Sequence, residues 1–262
     1  LNSIMIFKVI SYIIFLLKST NKRSIHSPIA RDIMSYCFDK NKGDHLYKQH
    51  LKYRQALRLK KDSIVVTDFG AGSKIFKNNI RPVHKISKYA GLSKKRTSLL
   101  INLVNYFKPE TILEFGTSLG LATYAMHLGS PKSSIITLEG CPNTLGVAKK
   151  QFEQFSFNTS ETLLGAFDSS LDQLNLNTPL DFVYFDGNHQ KEATLKYFDF
   201  CLERSNSNTV FVFDDIHWSG EMEAAWTHIK NHPKVTITID TFQWGIVLFT
   251  KKKEKEHFII RV

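Results

Sequence analysis

After Pro109 the apolar positions settle into one repeated alternation. Short β-branched or aromatic runs near 111–115, 134–139, 160–164, 180–186 and 209–214 are each followed by a turn and then by a longer stretch with apolar residues at helical spacing. Such alternation predicts βαβ units and a parallel sheet. The tail departs from it, because "VTITID" and "GIVLFT" leave only Thr241 to Trp244 between them. With no room for a helix, the last pair is expected to be an antiparallel hairpin.

Before Pro109 the periodicity is mostly helical, as in "ARDIMSYCF" and "TSLLINLVNYF", and only residues 64–67 read as a strand. The opening "LNSIMIFKVISYIIFLLKST" carries an apolar stretch from Ile4 to Leu17, broken by Lys8 and Ser11 and too short to span a bilayer as a helix. No small-residue cleavage site follows, which argues against a signal peptide. Two readings stand for it: a packed amphipathic helix, or peripheral membrane contact through residues 4–17, flanked by Lys18, Lys22 and Arg23. "KKKEKE" at 251–256 reads as a solvated charged run.

Composition narrows the class without choosing within it. A hydrophobic content of 42% over 262 residues supports one large domain with an appended segment. Cys37, Cys141 and Cys201 lack CxxC spacing, so neither a disulfide framework nor a zinc knuckle is indicated, and a cytoplasmic location is expected. The formal charge of +11 favours anionic partners.

Two glycine loops follow apolar runs: "TDFGAGSK" at 67–74 and "ILEFGTSLG" at 112–120. A nucleoside site of this type needs an acid roughly 20 positions past the loop, at the end of the next strand, to accept from ribose hydroxyls. After Asp68 no acid occurs until Glu110, and "KNNIRPVHKISKYAGLSKKR" reads as helical and basic. After Gly116 the strand "SSIITLE" delivers Glu139 in place. The second loop is therefore the expected cofactor turn. Gly116 lets backbone approach a ligand, Gly120 relieves crowding at the helix start, and Thr117 and Ser118 are expected to cap that helix. The turn lacks both GxGxxG and GK[ST], so phosphate is not the expected ligand. A zwitterionic amino-acid head joined to adenosine suits it better, with Glu114 or Asp186 beside the ammonium or sulfonium. That description is met by S-adenosylmethionine.

"ILEFGTSLGLAT", "ITLEG", "LLGAFDSSL", "DFVYFDGNHQ" and "VFVFDDIHW" occur here in this order. Over about residues 92–250 the chain thereby resembles the S-adenosylmethionine-dependent methyltransferases of the Rossmann-like class, and within them the small O-methyltransferases related to catechol O-methyltransferase. The resemblance implies an α/β fold with a seven-stranded, mostly parallel sheet of order 3-2-1-4-5-7-6 and an antiparallel last strand. It divides the chain into a helical lid or substrate segment at 1–91 and an S-adenosylmethionine-binding methyltransferase domain at 92–262, with "SKKRTSLLINLV" closing over the cofactor. It implies that Ala166, Phe167 and Asp168 frame adenine. Cys141 is expected to touch adenine or to act as filler.

Asp186, Asp214 and Asp215 gather at strand ends, where three close carboxylates call for a cation. In the metal-dependent relatives an Asp and an Asp-Asn pair hold magnesium at these positions; here Asp215 replaces the Asn, which keeps an oxygen ligand for Mg2+ or another divalent cation. The other reading is that Asp214 caps a helix, Asp215 is solvated and Asp186 contacts the cofactor. Methyl transfer to a hydroxyl needs a base, and His189 stands where the resemblance places a catalytic lysine, with Lys191 as second candidate and a structural hydrogen bond as the alternative for His189. His217 and Trp218 are expected to line the acceptor pocket, or Trp218 to pack against "MEAAW".

The expected partner is a small-molecule acceptor. Lys74, Lys77, Arg81, Lys85, Lys88, Lys94, Lys95 and Arg96, with no acid among them, would recruit an anionic one or form a solvated face. An RNA methyltransferase is the rival enzyme, weakened by the lack of an NPPY-type motif, and a non-catalytic cofactor-binding protein acting through its basic N-terminal segment is the other rival. The sequence sets neither the acceptor nor the oligomeric state, a homodimer included.

Overall fold

The computed structural model describes residues 3–20, 27–38, 43–70, 72, 76–159, 161–174, 178–251 and 254–261. The N-terminal part runs α1 (Ser3–Lys18), α2 (Pro28–Cys37), α3 (Asp44–Leu59), β1 (Ser63–Val65), β2 (Ile80–Pro82), α4 (Val83–Tyr89) and α5 (Lys94–Phe107). The alternation follows: β3 (Thr111–Phe115), α6 (Leu121–Gly129), β4 (Ser134–Glu139), α7 (Pro142–Gln154), β5 (Glu161–Leu164), α8 (Phe167–Gln173) and β6 (Leu180–Phe185). The chain ends with α9 (Lys191–Leu202), β7 (Ser205–Asp214), α10 (Gly220–Asn231), β8 (Ile237–Asp240), β9 (Trp244–Leu248) and β10 (Glu256–Ile259).

The large sheet has the strand order β10-β8-β9-β7-β6-β3-β4-β5. β9 is antiparallel to both β7 and β8, as the short tail connection requires, while β10 pairs with β8, β3 with β4, β4 with β5 and β6 with β7 in parallel. Read from β5, the first seven strands follow the order expected from the resemblance. The eighth corrects the expected count. β10 adds to the edge, parallel to β8, because "EHFI" is a strand-forming run immediately behind the charged one. Lys255 is not merely solvated: its ammonium donates to the carbonyls of Asn231 and His232 at the end of α10, at 2.8 and 2.9 Å, where a helix terminus carries negative charge.

Two compact units divide the chain: residues 1–35 with 178–262, and residues 36–177. In the second, β3 is buried at every position, as expected of a parallel strand covered on both faces. α5 is capped by the Ser93 hydroxyl, which accepts from the Arg96 N–H, and packs Leu100, Ile101 and Val104 into the core. The stretch at 77–96 is not one basic helix: β2 and β1 form a small antiparallel ladder, with Ile64 opposite Arg81, before α4 begins. Arg81 reaches back to Asp68 at 3.3 Å, so its charge is balanced by an acid that precedes the run. Lys74 lies outside the described residues. In the first unit, α10 starts on a Ser219 cap and lays Trp226 so close over Gly245 that any side chain there would collide with the indole.

Candidate functional site

The turn between β3 and α6 is built on left-handed backbone. Gly116, Ser118 and Gly120 have φ of 97°, 48° and 75°, values that β-carbons resist. The Gly116 and Thr117 N–H groups donate to the Leu138 carbonyl, at 2.9 and 3.1 Å, which fastens the turn to the end of β4. Thr117 and Ser118 do not cap α6 as expected. Gly120 is the residue before the helix, with no side-chain cap, and the Thr117 hydroxyl turns inward to Thr137 at 2.5 Å. At Gly120 a β-carbon would lie 2.3 Å from the Phe152 ring and 2.6 Å from the Tyr53 hydroxyl. Gly120→Ala is therefore expected to cost about 2–5 kcal/mol of stability, from left-handed strain plus overpacking, read as a lowered denaturant midpoint at unchanged slope.

α3 props this turn from behind. The Tyr53 hydroxyl donates to the Leu119 carbonyl at 2.9 Å, and His50 Nε2 lies 2.8 Å from the Leu121 carbonyl, which fixes its proton on that nitrogen. Burial holds the His50 pKa down to about 4, against the opposing Leu121 contact, so the ring is neutral at ordinary pH.

Two glutamates stand at the adjoining strand ends. Glu114 is fully buried; its Oε2 accepts from the Thr123 and Thr137 hydroxyls, each at 2.6 Å, while Oε1 has no partner among the described residues. Burial pushes its pKa up to about 7, opposed by those hydroxyls and reinforced by Glu139. A buried carboxyl with one unpartnered oxygen suits a cationic neighbour such as the ammonium of a cofactor. Glu139 is partly buried at the end of β4. Its two oxygens accept separately, from the Ser118 N–H at 2.7 Å and the Cys141 N–H at 2.8 Å. Burial raises its pKa, against hydrogen bonds donated by Cys141, Ser118, Thr144 and Gly140. Ionised, its oxygens are acceptors of the kind that ribose hydroxyls require.

Val65, Thr67 and Phe69, at the end of β1 and the start of the "TDFGAGSK" stretch, lie against the residues that follow this acid, a placement with no sequence signal. The Asn143 amide donates to the Val65 carbonyl at 2.7 Å, and the Thr67 N–H lies 3.3 Å from the Cys141 sulfur. Cys141 is thus buried, with its sulfur against the Thr67 N–H and the Val65 carbonyl. Phe69, 55% exposed, lies flat on Gly140, where any β-carbon would come within 2.5 Å of the ring. After β5, the Gly165 N–H donates to the Glu139 carbonyl at 3.0 Å, bringing the next loop to the same strand end. There Ala166 and Asp168 are exposed, and Phe167 meets Phe115 edge-on at 5.4 Å.

The expected acceptor-side residues belong to the other unit. Asp186 follows β6, with Tyr184 Oη 3.5 Å from its Oδ2 and His189 Nε2 3.9 Å from its Oδ1. His189 lies beside Trp218, at 6.4 Å between ring centres. Lys191 opens α9 and is exposed, lining a surface groove with Ala224, Thr227 and His228 of α10. Asp186, Asp214 and Asp215 do not form the expected cage: among the described residues no group of three His, Cys, Asp or Glu side chains is gathered to hold a metal ion. Asp214 is buried and accepts from the Asp215 N–H at 2.8 Å, while Asp215 takes a left-handed φ of 53°. His217 is clasped by two carboxylates, with Nδ1 2.7 Å from Glu223 and Nε2 2.9 Å from Asp240, and stacks on Phe242. Burial lowers its pKa, but the two acids outweigh that and raise it. With both nitrogens engaged, His217 reads as a structural clasp rather than a pocket wall. Lys8 sits 3.2 Å over the Trp218 ring.

Residues 113–216 match the family described as a methyltransferase domain. No curated protein sequence matches the chain. Among solved structures it is similar to the O-methyltransferase TomG of Streptomyces achromogenes in complex with SAM, at 19% identity and a TM-score of 0.54, over 61% of this chain and 82% of that one. It is also similar to the SAH-bound methyltransferase PaMTH1 of Podospora anserina, at 14% identity and a TM-score of 0.58, over 87% and 97%. An O-methyltransferase of Bacillus cereus in complex with SAH gives 19% and 0.56, over 84% and 100%. At these identities the structural likeness establishes the fold. The chain has the Rossmann-like architecture seen in these methyltransferase structures, and the matched residues 113–216 run from β3 to just past β7.

Proposed function

We propose that the chain binds S-adenosylmethionine on the turn at 116–120 and methylates a hydroxyl of a small-molecule acceptor. The observation that carries this reading is the Glu139 carboxylate, fixed by the Ser118 and Cys141 N–H groups at the strand end where ribose hydroxyls are gripped in such folds. Glu114 beneath the turn supports it, as an unpartnered buried oxygen for the ammonium. So do the similar structures, which include O-methyltransferases in complex with SAM or SAH.

When bound, S-adenosylmethionine supplies a methyl group already activated on sulfonium. The chain then has to orient the acceptor, exclude water and remove the hydroxyl proton as the oxygen–carbon bond forms and the carbon–sulfur bond breaks. His189 takes that proton on its imidazole, steered by Asp186, and Trp218 borders the acceptor. Phe69 supplies an aromatic wall for the adenosyl group next to Glu139. Phe69→Ala is expected to weaken cofactor binding about tenfold, within the range of roughly 1–3 kcal/mol for a base stacked on an aromatic ring, whereas Phe69→Trp retains it; calorimetric titration reads both. The reading as a whole is tested on the wild-type chain, by titrating it with S-adenosylmethionine and its demethylated product and following label transfer into hydroxylated acceptors. Absence of heat with either molecule ends it.

A further inference from the structure

α1 wears its apolar residues outward. Its inner face is held by Ser11 and Phe15, both buried, with Phe15 and Tyr12 against the Phe242 ring and Lys8 over Trp218. On the outside, Ile6, Val9, Ile10, Ile13, Ile14 and Leu17 are each between 44% and 81% exposed. Positions 6, 10, 13 and 17 recur at three and four residues, so these side chains form one continuous stripe. Scattered exposed aliphatics need no explanation, but a contiguous stripe this long does.

Charge and size select what covers it. From Leu1 to Arg31 the chain has Lys8, Lys18, Lys22, Arg23 and Arg31 and no acidic residue at all. An apolar stripe on a segment whose charged residues are all cations matches the boundary of an anionic bilayer, where aliphatic side chains sink among the acyl chains and lysines meet headgroup phosphates. Sixteen residues make a helix of about 24 Å, short of the roughly 30 Å hydrocarbon core, and no described helix is long and apolar enough to cross a membrane. A second copy fits less well. One helix face offers about 24 Å by 10 Å, well under the roughly 800 Å² per partner of a stable dimer, and it would bring like charges together.

We propose that α1 docks this chain on anionic lipid surfaces, lying in the interface plane with the Ile6–Leu17 stripe immersed. The inference is independent of the methyltransferase chemistry. Its test is co-sedimentation of the full chain with phosphatidylcholine vesicles, with and without phosphatidylglycerol, at low and high salt. The wild type is expected to bind the mixed vesicles, less so at high salt, and to leave pure phosphatidylcholine largely unbound. Ile10→Asp combined with Ile13→Asp is expected to lower the bound fraction by roughly tenfold or more. Leu17→Asp repeats the test at the most exposed position, and unchanged melting curves confirm that these surface changes leave the fold intact. Failure of the wild type to bind any vesicle overturns the proposal. So does a wild-type dimer that the double variant converts to monomer without a change in vesicle binding, which would assign the stripe to a second copy.

Discussion

Glu139→Gln should remove most of the affinity for S-adenosylmethionine, weakening it by at least about 100-fold, while the chain stays folded. Each hydrogen bond to a charged group contributes about 1.5–3 kcal/mol, and two ribose hydroxyls facing one carboxylate give two to four orders of magnitude in affinity. The amide cannot substitute. Both oxygens already accept from backbone, Ser118 on one and Cys141 on the other, so the glutamine NH2 must oppose one of those donors. Besides losing a ribose contact, the variant loosens the turn where the methionine end lies. Burial raises the Glu139 pKa, so the accepting form is lost as pH falls through that raised value, and wild-type affinity should decline on acidification. Calorimetry with the demethylated product, alongside thermal melts, separates lost binding from lost fold. Binding within about threefold of wild type would remove the ribose contact from the mechanism.

His189→Ala should reduce turnover by about 10²–10⁴-fold, the usual worth of a positioned proton acceptor, with cofactor affinity unchanged. The imidazole lies near, not on, Asp186: at 3.9 Å the carboxylate steers it without fixing a short hydrogen bond. His189→Lys should restore part of the rate and move the pH optimum upward, because an ammonium must first release its proton at higher pH. A purely structural histidine would give neither the partial rescue nor the shifted profile. Turnover within about fivefold of wild type in the alanine variant would hand the proton to solvent or to another residue.

The strands themselves are legible in the chain, since parallel strands buried on both faces leave near-continuous apolar runs and the short link before Trp244 admits only a hairpin, whereas their order is what the resemblance implies. Glu139 is legible for a different reason: its distance from Gly116 is set by one helix and one strand, lengths that vary little. Elements resting on few residues are not legible. β1 and β2 span three residues each, and β10 four behind a charged run, so local pattern carries too little signal to separate them from loop. The Phe69 contact with Gly140 and the Cys141 contacts with Thr67 and Val65 join residues more than 70 positions apart, and no local periodicity encodes such pairing. The three aspartates illustrate the converse. Their residue type and strand-end positions suggest an ion cage, yet the backbone after β7 turns Asp214 onto its own neighbour.

The props beneath the glycine turn bear on how separable this chain's parts are. Tyr53 and His50 hold the carbonyls of Leu119 and Leu121, while Phe152 and Tyr53 fill the space that Gly120 leaves open. An excised module running from β3 onward would keep every residue assigned to the cofactor except Phe69, but it would expose a socket shaped for two missing rings. α3 is therefore a structural constituent of the unit that carries the glycine turn, and exchanging it for that of a relative would have to preserve this joint.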